Sequence, residues 1–222
     1  MPDQLSIPPG DRAFRTAFQA LPLVAILRGL RPESAEAVGA VLVEAGFHII
    51  EVPLNSPQPF ASIERLARAL PETALVGAGT VLDPADVDRV RDAGGRLIVM
   101  PHSDPAVLGR ARALGLVSTP GVATPTEGFA ALKAGAAALK LFPAEAMPPA
   151  VVKAWRAVFP PDVLMLPVGG IRPDTMKPYV DAGANGFGLG SALFAPKLAL
   201  ADIARNARVF AAAWRALGAA SD

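Results

Sequence analysis

Two ionisable residues lie within apolar segments of the sequence, where a charged side chain is costly to bury. Lys140 lies in ALKLFP (138–143), and Glu51 lies in HIIEVPL (48–54). Burial lowers the pKa of an amine, which supplies the neutral nucleophile that forms a Schiff base with a ketone. Burial raises the pKa of a carboxyl group, which suits it to proton transfer near neutral pH. The alternatives are a snorkelling lysine with its ammonium group in water, and a structural Glu51–Lys140 ion pair.

Two glycine clusters form a second candidate site, in VGGIRP (168–173) and GLGS (188–191). Backbone N–H groups of glycine-rich loops bind phosphate oxygens, especially next to the start of a helix. No G-x-x-x-x-G-K-[ST] segment occurs in the sequence, which argues against a nucleoside triphosphate. The two clusters therefore predict a site for a phosphorylated small molecule.

The elements that position these residues follow from a regular alternation along the chain. Eight apolar, strand-like runs cover residues 23–28, 48–54, 74–79, 96–101, 116–121, 138–143, 163–170 and 186–191. Helical segments between them open with proline and often close on Ala-Gly, as in RPES and EAGF. The pattern predicts an α/β fold, a (β/α)8 TIM barrel with an extra N-terminal helix over about residues 11–20 and a final helix over 200–217. A doubly wound open sheet is the rival, but LRGLRP follows the first strand instead of a glycine-rich fingerprint.

No linker divides the chain, so residues 1–222 are predicted to form a single barrel domain in which 1–20 are the N-terminal extension and helix. In such barrels the chemistry belongs to the carboxyl ends of the strands. The polar, glycine and proline positions singled out at those ends are Arg28, Glu51, Asn55, Thr80, Pro101, Thr119, Lys140, Gly169, Gly170 and Ser191.

Composition excludes several classes of function. The net charge is +1 and no run of like charges occurs, so neither nucleic acid nor a membrane surface is an expected partner. Cysteine is absent, no signal peptide is evident and no apolar run reaches about 18 residues, which together predict a cytoplasmic protein. The two histidines, His48 and His102, lie in no ligand cluster, so no metal and no cofactor is predicted.

Six motifs, in order, resemble the 2-keto-3-deoxy-6-phosphogluconate and 2-keto-3-deoxy-6-phosphogalactonate aldolases. They are IIEVPLNSP, VGAGTVLDP, PGVATPTE, LKLFPAEA, PVGGIRP and GLGSAL, and the similarity extends from about Leu21 to Phe194. The resemblance implies a homotrimeric class I aldolase without metal, acting on a phosphorylated 2-keto-3-deoxy sugar acid. It makes Lys140 the Schiff-base lysine and Glu51 the proton carrier. It assigns Thr80 and Pro101 to the pyruvate end, Phe142 to a position beside the Schiff base, and the phosphate loops to Gly169, Gly170, Gly190 and Ser191.

Two departures from the phosphogluconate enzymes favour the phosphogalactonate branch. Asn55 stands where the phosphogluconate enzymes carry the arginine that holds the substrate carboxylate, and Arg28 supplies a guanidinium from the first strand instead. Val168 stands where they carry a threonine near the carbon at which the two epimers differ. Pro167 and FPAEA look more like the phosphogluconate branch, so 2-dehydro-3-deoxy-6-phosphogluconate or 4-hydroxy-2-oxoglutarate aldolase activity is the alternative.

Overall fold

The computed structural model describes residues 9–219. Its helices are α1 Pro9–Ala20, α2 Pro32–Glu44, α3 Pro59–Ala69, α4 Pro84–Asp92, α5 Pro105–Ala113, α6 Pro125–Lys133, α7 Pro149–Arg156, α8 Met176–Asp181 and α9 Leu200–Ala219. Its strands are β1 Leu23–Ile26, β2 Ile49–Pro53, β3 Leu75–Gly79, β4 Leu97–Val99, β5 Val117–Thr119, β6 Gly121–Val122, β7 Leu139–Leu141, β8 Met165–Pro167 and β9 Phe187–Leu189. Two 3₁₀ turns, Ala144–Ala146 and Pro173–Thr175, follow β7 and β8.

All the strand pairs are parallel, and they form a six-stranded sheet in the order β5-β4-β3-β2-β1-β9 and a three-stranded sheet in the order β6-β7-β8. A bridge between Val168 and Gly188 lies between β8 and β9. The predicted α/β fold of parallel strands alternating with helices is confirmed, whereas the predicted single strand over 116–121 is wrong. Pro120 separates β5 from β6, because proline has no N–H to donate to a neighbouring strand.

Proline and glycine set the helix boundaries as the sequence indicated. Helices α2 to α7 each have proline in the first turn, where the backbone N–H needs no partner within the helix. Asp104 caps α5 by accepting hydrogen bonds from two backbone N–H groups, and Thr124 caps α6 together with Glu127. After α2, Gly46 has a φ of +102°, a conformation that favours glycine at a helix end.

The core has two parts, and the inner one fixes which end of the sheet is open. The outer part packs the helices against the outward-facing strand residues. In the inner part, Phe14 and Phe18 of α1 pack among residues at or near the beginnings of several strands, including Ile49, Leu75 and Leu97. Helix α1 therefore covers the amino ends of the strands, and the candidate residues lie at the opposite, carboxyl ends.

Within residues 9–219, no helix is both long and apolar enough to cross a bilayer.

Candidate active site

Strand alternation directs Glu51 and Lys140 into the interior. Leu139 and Leu141 belong to the outer core, so Lys140 between them faces the opposite side of β7. Ile50 and Val52 flank Glu51 in the same way on β2. Both ionisable groups line one small interior cavity, together with Thr119, Val168 and Gly188.

A larger cleft of about 640 Å³ adjoins this cavity, and Lys140 and Val168 line both spaces. The residues on its wall that the sequence analysis singled out are Arg28, Lys140, Phe142, Val168, Gly169, Gly170, Gly190 and Ser191. The structure thus brings together Lys140 of β7 and residues from the segments that follow β1, β7, β8 and β9. A small molecule in the cleft has access to the Lys140 amine.

Glu51 is a buried carboxyl group with an unsatisfied oxygen. Its side chain is 1% exposed, and Oε2 has no hydrogen-bond partner. Burial raises the pKa of Glu51 from 4.5 to about 7, although the positive charges of Lys140 and Arg28 act in the opposite direction. Gly79 on the neighbouring strand β3 leaves the room for this carboxyl group, because a Cβ at Gly79 would overlap it. Glu51 therefore exchanges a proton near neutral pH and has a free oxygen with which to do it.

Lys140 is only 7% exposed, and this burial contradicts the alternative of a snorkelling lysine with its ammonium group in water. Burial lowers the pKa of its amine, the positive charge of Arg28 lowers it further, and only the charge of Glu51 favours the ammonium form. No ion pair within 4.0 Å joins Lys140 to Glu51 in the described part of the chain. Its Nζ lies 4.9 Å from the centre of the Phe142 ring. The structure therefore places the amine and the carboxyl group on one cavity without a direct salt bridge between them.

Arg28 is held at the rim by the segment that follows β2. Its Nη1 donates a hydrogen bond of 2.7 Å to Asn55 Oδ1, and the next residue, Gly29, donates its backbone N–H to Ser56 Oγ at 2.9 Å. Asn55 does not line the cleft itself, whereas Arg28 does. Asn55 and Ser56 thus orient a guanidinium group that keeps further N–H donors for a carboxylate.

The glycine turn after β8 has a conformation that only glycine adopts easily. Gly169 and Gly170 have φ angles of +116° and +62°. The carboxylate of Glu145 lies where a Cβ of Gly169 would be, so this turn and Glu145 are in direct contact. On the neighbouring strand, Gly190 follows β9 with open space around it, and Ser191 is exposed in the cleft. The open backbone here fits an anionic group at this end of the cleft.

Thr80 and Pro101 are not brought to either cavity. Thr80 follows β3 with a φ of +55°, which is uncommon for a residue other than glycine. The carbonyl group of Pro101 packs against Gly121, where a Cβ would not fit. Neither residue lines the cleft or the interior cavity, so their assignment to the pyruvate end has no support from this geometry.

Sequence reasoning missed four residues that shape the site: Ser56, Gly79, Glu145 and Arg172. Each lies within one of the quoted motifs, which are IIEVPLNSP, VGAGTVLDP, LKLFPAEA and PVGGIRP in the same order. Their contacts involve other strands or loops, however, and no local pattern predicts them.

Within residues 9–219, no three of His, Asp or Glu lie close enough to hold a metal ion.

Known proteins match this chain over most of its length. The family model for KDPG and KHG aldolases matches residues 15–209. A probable 2-dehydro-3-deoxy-6-phosphogalactonate aldolase of Rhizobium meliloti is 46% identical over 215 residues, 97% of each chain. A 2-dehydro-3-deoxy-6-phosphogalactonate aldolase of Escherichia coli is 45% identical over 195 residues, 88% of this chain and 95% of the relative.

A solved structure described as native KDPGal is 44% identical and superimposes with a TM-score of 0.87, covering 89% of this chain and 96% of the other. Sequence identity, length and fold agree with the motifs quoted above. The chain belongs to the KDPG and KHG aldolase family.

Proposed function

We propose that this protein is a class I aldolase that cleaves 2-dehydro-3-deoxy-6-phospho-D-galactonate to pyruvate and D-glyceraldehyde 3-phosphate. The observation that carries the proposal is a buried, unpaired amine and a buried, unpaired carboxyl group on the wall of one cavity, Lys140 and Glu51. The aldolases of Rhizobium meliloti and Escherichia coli named above supply the substrate class.

In the first half of the reaction, the neutral Lys140 amine attacks the C2 ketone of the substrate. Glu51 in its protonated form gives its proton to the departing hydroxyl group of the carbinolamine, so that water leaves and an iminium ion forms. A pKa of about 7 keeps a large fraction of Glu51 protonated for this step near neutral pH.

In the second half, Glu51 is a carboxylate and accepts the proton of the C4 hydroxyl group. The C3–C4 bond breaks, its electrons flow into the iminium ion, and the aldehyde product leaves. The enamine that remains takes up a proton at C3, and hydrolysis then releases pyruvate and regenerates Lys140. The same group thus acts as acid and then as base, which requires a pKa close to the working pH.

Binding at both ends of the substrate positions the scissile bond. Arg28, oriented by Asn55, binds the carboxylate next to the ketone. Gly169, Gly170, Gly190 and Ser191 bind the phosphate. Phe142 packs beside the Schiff base, and the assignment of Thr80 and Pro101 to the pyruvate end rests on the family resemblance alone.

Selection between the two epimers rests on Val168. This residue is 7% exposed and lines the cleft beside Lys140 without offering a hydrogen bond. An apolar wall forms no hydrogen bond with a C4 hydroxyl group that points towards it. The site therefore favours the epimer whose C4 hydroxyl group points elsewhere. Because apolar contacts discriminate weakly, we expect turnover of the gluconate epimer as well, at a lower rate.

The architecture around the site is part of the proposal. The bridge from Val168 to Gly188 and the adjacency of β5 and β6 across Pro120 support a closed (β/α)8 barrel made of both sheets. The family resemblance supports a homotrimer of single-domain subunits. The lack of cysteine favours a cytoplasmic location. Light scattering on the purified protein measures the subunit number directly.

The test is pyruvate release from both phosphorylated epimers, coupled to lactate dehydrogenase. We expect a higher kcat/KM for the galactonate epimer, and a clear preference for the gluconate epimer would refute the role given to Val168. Borohydride with pyruvate should attach a covalent adduct to Lys140, and Lys140→Met should lose both the adduct and turnover. Conversion of the substrate with neither pyruvate release nor an adduct would instead indicate an isomerase or epimerase that uses the two groups only as proton carriers. Ligand binding that survives Lys140→Met, with no turnover in either protein, would indicate a metabolite-binding protein.

A further inference from the structure

The charges on the wall of the cleft leave one cation without a role in the proposed mechanism. The charged residues that line it are Arg28, Lys140, Glu145 and Arg172. Arg28 is bound to Asn55 at the carboxylate end, and Lys140 is the amine that reacts. Arg172 remains, two residues beyond the Gly169–Gly170 turn.

The backbone of Arg172 is fixed while its side chain is loosely held. Its N–H donates to Thr175 Oγ1 at 2.9 Å, and its carbonyl oxygen accepts from the same hydroxyl group at 3.0 Å. Its guanidinium group meets Asp174 at 3.2 and 3.4 Å, and the two side chains are 60% and 72% exposed. An ion pair so exposed contributes little, so the guanidinium group can exchange Asp174 for another anion at small cost.

Glu145 makes a cation necessary at this end of the cleft. Its carboxylate packs directly on the glycine turn, and it has no hydrogen bond or ion pair within the described residues. A phosphate bound at this turn would have a like charge as its neighbour, which is unfavourable unless a positive group lies close by. Backbone N–H groups supply only partial charges.

We infer that Arg172 binds the phosphate group of the substrate, with Asp174 as its partner when the cleft is empty, and that Glu145 opposes this binding. The inference rests on the proposed function and adds a residue to it. It assigns phosphate recognition here to a guanidinium group as well as to the glycine loops. Arg172 thus raises the preference for a phosphorylated aldehyde over the same aldehyde without phosphate.

The experiment measures condensation of pyruvate with D-glyceraldehyde 3-phosphate and, separately, with D-glyceraldehyde. We expect Arg172→Gln to lower the ratio of the two kcat/KM values about tenfold, equivalent to about 1.4 kcal/mol, mainly by raising KM for the phosphorylated aldehyde. Arg172→Lys should recover part of the loss, and Glu145→Gln should raise the ratio. Arg68→Gln is the matched control, since Arg68 is also an exposed arginine in an exposed ion pair, with Glu64.

The outcomes separate this inference from the proposed function. An unchanged ratio in Arg172→Gln, or an equal loss with both aldehydes, would overturn the role of Arg172 while leaving the aldolase intact. If the unmodified protein condenses neither aldehyde, the proposed function fails, and calorimetric binding of inorganic phosphate then tests Arg172 alone. Weaker phosphate binding in Arg172→Gln than in Arg68→Gln supports the inference, and equal binding refutes it.

Discussion

Glu51→Gln replaces the buried carboxyl group by a neutral amide of nearly the same shape, and we expect it to stabilise the fold while removing most of the activity. The side chain is 1% exposed and Oε2 has no hydrogen-bond partner, so ionised Glu51 is a buried charge without direct compensation. Glutamine keeps the volume and cannot ionise. Stability and activity should therefore change in opposite directions.

The size of the effect follows from the pKa of Glu51, which burial raises from 4.5 to about 7. The protonated group contributes its stability in full below about pH 4.5, and this contribution is lost as the pH rises through about 7. Each pH unit between the two pKa values corresponds to about 1.4 kcal/mol, so the loss is on the order of 3 kcal/mol above pH 8.

Lys140 reduces the stability gained by Glu51→Gln, because the charge of Glu51 favours the ammonium form of Lys140. We therefore expect Glu51→Gln to be more stable than the unmodified protein by about 1–3 kcal/mol at pH 8 and nearly equal to it near pH 4.5. For a chain of this size that corresponds to a Tm higher by roughly 2–12 °C at pH 8.

The assay is urea unfolding at a series of pH values from 4.5 to 8.5, at one protein concentration because an oligomer unfolds in a concentration-dependent way. Glu64→Gln is the control, since Glu64 is an exposed carboxylate on α3. In parallel, the pyruvate-release assay should show kcat reduced by about 10²- to 10⁴-fold in Glu51→Gln alone. If the unfolding free energies of Glu51→Gln and the unmodified protein keep the same pH dependence, burial does not govern the pKa of Glu51 and the reasoning is refuted.

Three further substitutions test other parts of the site and the fold. Gly79→Ala places a methyl group on the Glu51 carboxyl group and should lower kcat by about 100-fold, the lower limit for losing a general acid–base, whereas Gly109→Ala, with open space around it, should not. Asn55→Ala frees Arg28 and should raise KM for pyruvate in condensation about three- to tenfold with a smaller change in kcat; a change in kcat alone would contradict the orienting role. Arg156→Met removes hydrogen bonds to three backbone carbonyl groups and to Asn185, near the amino end of β8. Thermal unfolding should show that the free energy of unfolding falls by about 2–3 kcal/mol. An unchanged Tm would mean that these hydrogen bonds do not stabilise the loops that Arg156 contacts.

The order of strands and helices could be predicted from the sequence because local chemistry decides it. Proline in the first turn and glycine after the last turn mark the helices, and short apolar runs mark buried parallel strands. The predicted final helix over 200–217 corresponds to α9, Leu200–Ala219. The interruption at Pro120 was not predicted, since a proline within an apolar run leaves open whether the strand ends there or continues past it.

The proximity of Glu51 and Lys140 could also be predicted, because carboxyl ends of parallel strands meet at one end of the sheet. The sequence could not tell whether the two groups form a salt bridge. A salt bridge depends on the distance between two side chains, one on β2 and one on β7. The hydrogen-bonding register between neighbouring strands does not determine this distance.

The space that two glycines leave for neighbouring side chains is a feature of the site that no sequence pattern identifies. Gly79 has no side chain and no reactive group, yet its missing Cβ is where the Glu51 carboxyl group lies. The same holds for Gly169, whose Cβ position is taken by Glu145. A pattern of residue types reveals a group that can donate or accept a proton, whereas the space that the group needs is set by a neighbouring strand or loop whose contact is long-range. Substitutions at Gly79 and Gly169 should therefore impair the site even though neither residue takes part in a bond-making step.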